Sequence, residues 1–168
     1  MVAPDLLGKY LVVRNGKHES GYMITETEAY EGIDDLASHA SRGMTPRIKI
    51  MFGPAGYFYM YLIYGLHHML NIITHYKGIP SAVLLRSVQG VAGPGRLTRT
   101  LDITKKCNTQ LVAKKSGLWV EDRGIIVAQS EIVKTPRLGV AYAGSLWSQK
   151  LWRYVYVPQG ERILKNNF

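Results

Sequence analysis

The stretch "YLVVRNGKHESGYMITETEAY", residues 10–30, decides the fold. It holds two runs rich in apolar, β-branched and aromatic residues, with Asn15-Gly16 between them. This dipeptide between two such runs is a strong signal for a tight hairpin turn. Because side chains two residues apart share one face of a strand, Glu26 and Glu28 are predicted to lie on one side. The stretch therefore predicts an antiparallel hairpin whose second strand carries two carboxylates on one face.

Short strand-like segments recur along the rest of the chain, whereas helical segments are few. Strands are predicted in residues 56–74, 81–88, 124–133, 137–144 and 153–157, and short helices in residues 4–11, 45–52 and from residue 93 onward. The segment 56–74 is predicted to form a hairpin with its turn at Tyr64-Gly65, and Thr45 to cap a helix that begins at Pro46. Many short strands with few helices favour an antiparallel α+β domain or an open barrel. The length of 168 residues favours a single domain, 1–168.

The composition excludes several classes of protein. The chain is 46% hydrophobic and 20% charged, as globular proteins are and disordered ones are not. Cys107 is the only cysteine, which excludes an internal disulfide framework and a thiolate metal site and favours a reducing compartment. The most apolar segment, residues 57–73, contains tyrosines and two histidines and is too polar for a membrane span. Without a recognisable signal peptide, we expect a protein of the cytoplasm, associated with the nucleoid, or of the nucleus.

The charge of the chain is positive and unevenly distributed. There are 21 Lys and Arg against 12 Asp and Glu, giving a net charge of +9, yet residues 36–101 contain no acidic residue. That segment holds seven cations and four of the five histidines; the cations are Arg42, Arg47, Lys49, Lys77, Arg86, Arg96 and Arg99. A central third without acids predicts a surface that meets an anion, and nucleic acid is the commonest such partner.

Glu28 and Arg86 are the residues most suited to chemistry. Glu26 is expected to be a solvated surface residue, whereas Glu28 lies where its strand meets a loop, a common place for functional residues. Arg86 is predicted to end an apolar strand, and a buried charge there needs a partner. Glu28 is the favoured partner, and the pair could hold one water molecule. The alternative, a strand end that reaches bulk solvent, stays open.

Two further segments suit a nucleic-acid partner. Tyr64, a bulky aromatic residue at a predicted hairpin tip, could enter a base stack in place of a displaced base. His39, Arg42, Thr45 and Arg47 combine groups suited to phosphate contacts, although a polar loop with a capped helix explains them equally well. Metal binding by the adjacent histidines 67–68 is rejected, because neighbouring strand residues point to opposite faces.

Five ordered blocks resemble the alkyladenine (3-methyladenine) DNA glycosylase family. These blocks are "ETEAYEG", "SHASRGMTPR", "MFGPAGYFYMYLIYGLHHMLNIIT", "AVLLRSV" and "GPGRLTRTLDI", and "RLGVAYAG" with "WRYV" resembles the closing segment of that family. The resemblance covers residues 2–157. It implies a mixed domain around a curved antiparallel sheet, with a protruding hairpin that intercalates into DNA.

The resemblance also implies roles for individual residues. Glu28 matches the carboxylate that activates water, and Arg86 matches the arginine that helps to hold it. The residues that match base-binding positions are Tyr30, His39, Tyr61 and Asn71, of which Asn71 discriminates against normal guanine. Tyr64 matches the intercalating residue.

The implied activity is that of a monofunctional glycosylase of base excision repair. Its partner is double-stranded DNA with damaged purines: 3-methyladenine, 7-methylguanine, hypoxanthine or ethenoadenine. No lysine stands in the motifs as a Schiff-base nucleophile, so no lyase activity is predicted, and no cofactor or metal is expected. A monomer is expected.

Two rival functions stay open. A non-catalytic nucleic-acid-binding domain would use the same basic and aromatic residues but gives Glu28 no reason to face a ligand. A nucleoside hydrolase would use the same carboxylate and aromatic pocket but would need neither Tyr64 nor the basic surface.

Overall fold

The computed structural model describes residues 1–159. It consists of an eight-stranded antiparallel sheet with a few short helices. The strands are β1 (Tyr10–Asn15), β2 (His18–Glu31), β3 (Phe58–Ile63), β4 (His67–Ile73), β5 (Ser81–Val88), β6 (Leu118–Glu121), β7 (Ile132–Thr135) and β8 (Arg153–Tyr156). The α-helices are α1 (Val2–Asp5), α2 (Pro94–Thr100) and α3 (Gly144–Ser148). The predicted α+β class is confirmed. Among the described residues, no helix has the length and apolar character needed to cross a membrane.

The long strand β2 organises the sheet. The strand order is β3-β4-β5-β2-β1-β6, and β8 pairs with both β2 and β7. The first half of β2 pairs with β1, and its second half pairs with β5 and β8. The register against β5 shifts on both sides of Glu26, and such bulges bend a strand and redirect its side chains. The two predicted carboxylates therefore lie where β2 changes partners.

Both predicted hairpins are present. Asn15 pairs with His18, so the first turn consists of Gly16, at φ +63°, and Lys17, one residue later than predicted. Ile63 pairs with His67, so the second loop consists of Tyr64, Gly65 and Leu66. The Leu66 N–H donates to the Ile63 carbonyl over 3.1 Å, which closes a turn with Tyr64 and Gly65 at its centre, at φ +52° and +70°. Positive φ at both central residues matches the twist of antiparallel strands, although it is uncommon for a bulky side chain such as tyrosine.

The main core lies between the sheet and the short helices. Phe58, Leu70 and Leu85 contribute fully buried side chains from β3, β4 and β5, and Leu97 contributes one from α2. A smaller cluster around Met51, Tyr59 and Ile73 packs against the other side of β3 and β4. Helix α2 is thereby fixed beside the β3–β4 hairpin, and Thr98 adds a hydrogen bond of 2.9 Å to the carbonyl of His68.

Four predicted elements differ from the structure. The helix predicted in residues 4–11 is limited to Val2–Asp5, and residues 10–11 already belong to β1. The segment 45–52 forms a turn followed by a 3-10 helix, Lys49–Phe52, so Thr45 is not the cap of a helix begun by Pro46. The segment 137–144 is a loop with one 3-10 turn that leads into α3, and Gly139 and Gly144 adopt φ +73° and +78° there. Most of 124–133 is also irregular, and β7 begins only at its end.

Strand β5 has the bounds predicted for it, but Arg86 was expected at the strand end. The strand reaches Val88, so Arg86 lies within it. Strand β6, which extends the sheet beyond β1, was not among the predicted elements.

Candidate active site

A cavity of about 390 Å³ opens between the sheet and two loops. Its walls come from β2 to β5, from residues 37–47 and from residues 138–142. Seven of the ten predicted site residues line it: Tyr30, His39, Arg47, Tyr61, Tyr64, Asn71 and Arg86. The sheet thus brings together residues that are up to 56 positions apart in the chain (30 to 86).

Glu28 is fully buried behind this wall, and its carboxylate accepts two hydrogen bonds and makes one ion pair. The Leu138 backbone N–H donates to Oε1 over 2.9 Å, and the Tyr30 hydroxyl donates to Oε2 over 2.8 Å. Arg86 Nη1 lies 3.3 Å from Oε1, which is the contact predicted from the sequence. All three partners line the cavity. The carboxylate is therefore oriented from several sides beside a space that a ligand can enter.

Glu26 is not the exposed residue expected from the sequence. It is 8% exposed, and its Oε1 accepts hydrogen bonds from Arg86 Nε over 2.8 Å and Arg153 Nε over 2.6 Å. Ser87 donates its hydroxyl to the other oxygen. Burial alone would raise the pKa of the Glu26 carboxyl, but Ser87 and the two guanidinium groups lower it. Glu26 is therefore an ionised buried group.

Tyr30 lies between Glu28 and a buried cation. Burial and then the charge of Glu28 raise the pKa of the Tyr30 phenol well above its usual value, so the phenol stays a donor. The Arg137 guanidinium covers the Tyr30 ring at 4.7 Å and the Trp152 ring at 5.0 Å. The face of Tyr30 that a ligand can meet is thus the one not covered by Arg137.

His39 and two tyrosines form an aromatic corner. His39 Nδ1 lies 3.0 Å from the Tyr59 hydroxyl, and the His39 ring meets the Tyr61 ring edge-on at 4.5 Å. Burial, with the charges of Arg47 and Arg42, lowers the pKa of His39, so the imidazole is neutral at neutral pH. Burial raises the pKa of Tyr59 to about 12.

Asn71 is buried in the cavity wall with its amide fixed. Its Nδ2 donates to the carbonyls of Tyr59 and Met69 over 3.2 and 3.1 Å. An amide held by two backbone carbonyls cannot rotate freely. Asn71 therefore presents a rigid polar group to anything in the cavity.

The predicted phosphate contacts lie at or beyond the rim. Arg42 and Thr45 are exposed on the loop beside the cavity, and Arg47 lines its mouth. Tyr64 is 87% exposed at the hairpin tip on the same rim. These side chains are accessible to a large ligand that lies across the opening.

Sequence reasoning missed the residues that hold the loop of residues 138–142 in the cavity wall. Arg137 and Asp35 are both fully buried and form a two-bonded ion pair at 2.6 and 2.8 Å. Arg137 also donates to the Ala29 carbonyl, and Asp35 accepts from Ala37 N–H. This pair joins the His39 loop to the loop that supplies Leu138. The only sequence signal was the segment "RLGVAYAG", which matched the family but was predicted as a strand.

Within residues 1–159, no group of three or more His, Cys, Asp or Glu side chains is placed to hold a metal ion.

The cavity thus combines a buried, oriented carboxylate, aromatic walls and a basic rim. A sequence model of the family described as Methylpurine-DNA glycosylase (MPG) matches residues 1–92 and 89–159. The chain therefore belongs to this family and is a DNA glycosylase.

Bacterial relatives agree with this assignment. A Legionella pneumophila (strain Lens) protein is 40% identical over 172 residues, covering 98% of this chain and 92% of the relative. An Anaeromyxobacter sp. (strain Fw109-5) protein is 46% identical over 160 residues, covering 91% and 81%. A Sodalis glossinidius protein is 43% identical over 161 residues, covering 91% and 88%. Each is named "Putative 3-methyladenine DNA glycosylase".

Proposed function

We propose that this enzyme is a monofunctional glycosylase that turns a damaged purine out of duplex DNA and hydrolyses its N-glycosidic bond with water activated by Glu28. One observation carries the proposal. A fully buried carboxylate contacts three groups that line an aromatic cavity. The water that Glu28 activates enters between these groups, where Arg86 also meets it.

The proposed base flipping follows from the position of the bond inside a duplex. An enzyme cannot reach C1′ of a stacked nucleotide without displacing it, which costs a few kcal/mol and least for a damaged base. The cavity, at about 390 Å³, is within the usual range for small-ligand sites. Tyr64, exposed at the rim, fills the gap in the stack, and Tyr30, His39 and Tyr61 hold the displaced base.

In the chemical step, proton transfer from water accompanies formation of a bond between water and C1′ and cleavage of the C1′–N bond. Glu28 takes a proton from water, the water oxygen bonds to C1′, and the electrons of the C1′–N bond leave with the base. The carboxylate also stabilises the oxocarbenium character that develops on the sugar. No covalent enzyme–DNA intermediate forms, so the backbone is left intact at an abasic site.

The proposed substrates are 3-methyladenine, 7-methylguanine, hypoxanthine and ethenoadenine. Alkylated purines that are cationic leave as neutral bases and are favoured over tyrosine faces. Asn71 disfavours binding of normal guanine, because its fixed amide leaves little space for the 2-amino group of that base. The DNA partner is a duplex, bound by the enzyme as a monomer, and we expect the enzyme to work wherever that DNA resides, at a nucleoid or in a nucleus.

The two rival functions predict different behaviour. A non-catalytic binding domain would bind DNA more tightly when Glu28 is neutralised, since a carboxylate repels phosphate. A nucleoside hydrolase would release bases from free nucleosides and would respond little to salt. The buried donors around Glu28 favour catalysis, and the exposed Tyr64 at the same rim favours a duplex substrate.

The test is base release in the presence of chelator. Duplexes with one hypoxanthine or one 7-methylguanine are incubated with wild type or Glu28→Gln and read with and without alkali. We expect strand cleavage only after alkali, and none above background with the variant. Glu19→Gln, the same change at an exposed position of β2, should behave as wild type. Release by Glu28→Gln at the wild-type rate would contradict the proposal.

A further inference from the structure

We propose that Glu26 is a positioning residue for the glycosylase reaction, holding Arg86 at a fixed distance from Glu28 so that Glu28 remains free to accept a proton. This inference rests on the proposed function and extends it to a second carboxylate.

Arg86 bridges two carboxylates of one strand. Its Nε donates to Glu26 Oε1 over 2.8 Å, whereas its Nη1 lies 3.3 Å from Glu28 Oε1. The first distance is typical of a charge-assisted hydrogen bond, and the second is longer than one. The guanidinium therefore makes its shorter hydrogen bond to Glu26, while it stays an ion-pair partner of Glu28 at a longer distance.

Glu26 is itself held tightly enough to serve as an anchor. Arg153 Nε donates to the same oxygen over 2.6 Å, and the Ser87 hydroxyl donates to the other oxygen. Ser87 in turn accepts a hydrogen bond of 3.2 Å from Gly93 N–H, next to α2. The register shift at Glu26 places it across from Ser87 on β5. The anchor is thus built from β2, β5 and β8.

The position of Arg86 between two carboxylates explains why Arg86 must be held in place. A carboxylate that makes a close ion pair with arginine is a poorer proton acceptor than one whose oxygens remain available. Without Glu26, Arg86 would approach the remaining carboxylate, Glu28, or turn away from the cavity. Either movement would slow the chemical step, because small displacements of catalytic groups cost much in rate. Glu26 is ionised in its buried setting, as its lowered pKa indicates.

The test is single-turnover base release by Glu26→Gln at saturating enzyme. The amide oxygen of glutamine can still accept from both Nε groups, and its NH2 can donate to the Ser87 hydroxyl, so these contacts are kept while the charge is removed. We expect the rate on a 7-methylguanine duplex to fall on the order of 10- to 100-fold, with affinity for the duplex changed by less than about twofold. Glu19→Gln, an ion-paired glutamate on the same strand, is the matched control. A wild-type rate for Glu26→Gln would overturn the proposal.

A double-mutant cycle separates positioning from a general loss of structure. If Glu26 acts through Arg86, Glu26→Gln should slow the reaction little further in an Arg86→Ala background. An equal slowing in both backgrounds would overturn the proposal. Should Glu26→Gln fail to fold, Ser87→Ala removes one donor to Glu26 without changing its charge, and it should lower the rate with affinity intact. An unchanged rate with Ser87→Ala would then overturn it.

The same assay distinguishes the two proposals. If wild type releases the base and Glu28→Gln does not, the proposed function is supported. This conclusion does not depend on the rate of Glu26→Gln. Equal release by wild type and Glu28→Gln would remove the proposed function, and the role of Glu26 with it.

Discussion

The cavity interior and the hairpin tip border the same cavity but are built in opposite ways. In the interior, Glu28 is 0% exposed and each of its oxygens has a defined donor. At the tip, Tyr64 and Leu66 are 87% and 76% exposed. The difference indicates a division of tasks. Under the proposed function, the group that meets the reacting bond is fixed by several contacts, whereas the group that enters the base stack is left accessible.

This division predicts two classes of variant. Interior substitutions should change the rate of bond cleavage or the stability of the fold and leave DNA affinity largely intact. Substitutions at the tip and rim should change DNA affinity and leave the fold intact.

The largest effect on stability is expected at the Asp35–Arg137 pair. Asp35→Asn leaves the Arg137 charge fully buried without its ionised partner, and breaking such a pair costs about 3–5 kcal/mol of unfolding free energy. Urea denaturation measures it. Glu19→Gln, which breaks the exposed pair with Arg14, should cost less than about 1 kcal/mol. Equal losses in the two variants would show that the interior is no more constrained than the surface.

At the tip, Tyr64→Ala should weaken capture of a damaged duplex. Stacking between an aromatic side chain and a base contributes about 1–3 kcal/mol, so the affinity should fall by roughly 5- to 150-fold. The unfolding free energy should change little, because the side chain is exposed. Fluorescence anisotropy with a hypoxanthine duplex gives the affinity. A variant with wild-type affinity but no base release would place Tyr64 with the interior residues instead.

The buried Tyr59 should make the unfolding free energy of the protein fall at alkaline pH. Its pKa, about 12 in the folded protein, exceeds the value near 10 of an exposed tyrosine. Between these values the folded state retains a proton that the unfolded state loses, so stability falls as pH rises, by about 1.4 kcal/mol per pH unit. Tyr59→Phe should remove this component. Urea denaturation at pH 9 and pH 11 should show a smaller decline for the variant, and parallel declines would contradict the assignment.

The smallest effect is expected at the rim. DNA affinity should fall linearly with salt on logarithmic axes, since cations at the surface displace counterions from phosphates. Arg42→Ala should reduce the magnitude of that slope by about 1 if Arg42 meets one phosphate. The Asp102→Asn substitution, at another surface position, serves as the control for charge changes that do not remove a cation. A slope unchanged by Arg42→Ala would remove Arg42 from the DNA-binding surface.

Local signals in the sequence predicted the hairpins and the strand that carries Glu28. Both turns contain glycine between apolar runs, and the backbone adopts positive φ there. The sequence also indicated the partnership of Glu28 with Arg86, because an arginine in an apolar strand needs a carboxylate. These inferences depend on neighbours in the chain or on general costs of burial.

The missed features depend on contacts between distant segments. Glu26 was expected at the surface, but Arg153, which is 127 positions later, covers it when β8 joins β2. The loop 137–144 was predicted as a strand from its apolar residues. Its course is instead set by the Arg137 pair with Asp35, 102 positions away. Such contacts leave no periodic pattern in a single sequence.

The most direct test of the division is stopped-flow fluorescence with a duplex that contains ethenoadenine, followed for wild type, Glu28→Gln and Tyr64→Ala. The fluorescence of this base reports its removal from the stack, and release of the free base is quantified from the same samples. Glu28→Gln should retain the capture phase and lose base release by about 10²–10⁴-fold, the usual contribution of a general base. Tyr64→Ala should show a weakened capture phase and normal release from the captured complex. Base release by Glu28→Gln at the wild-type rate would contradict the account.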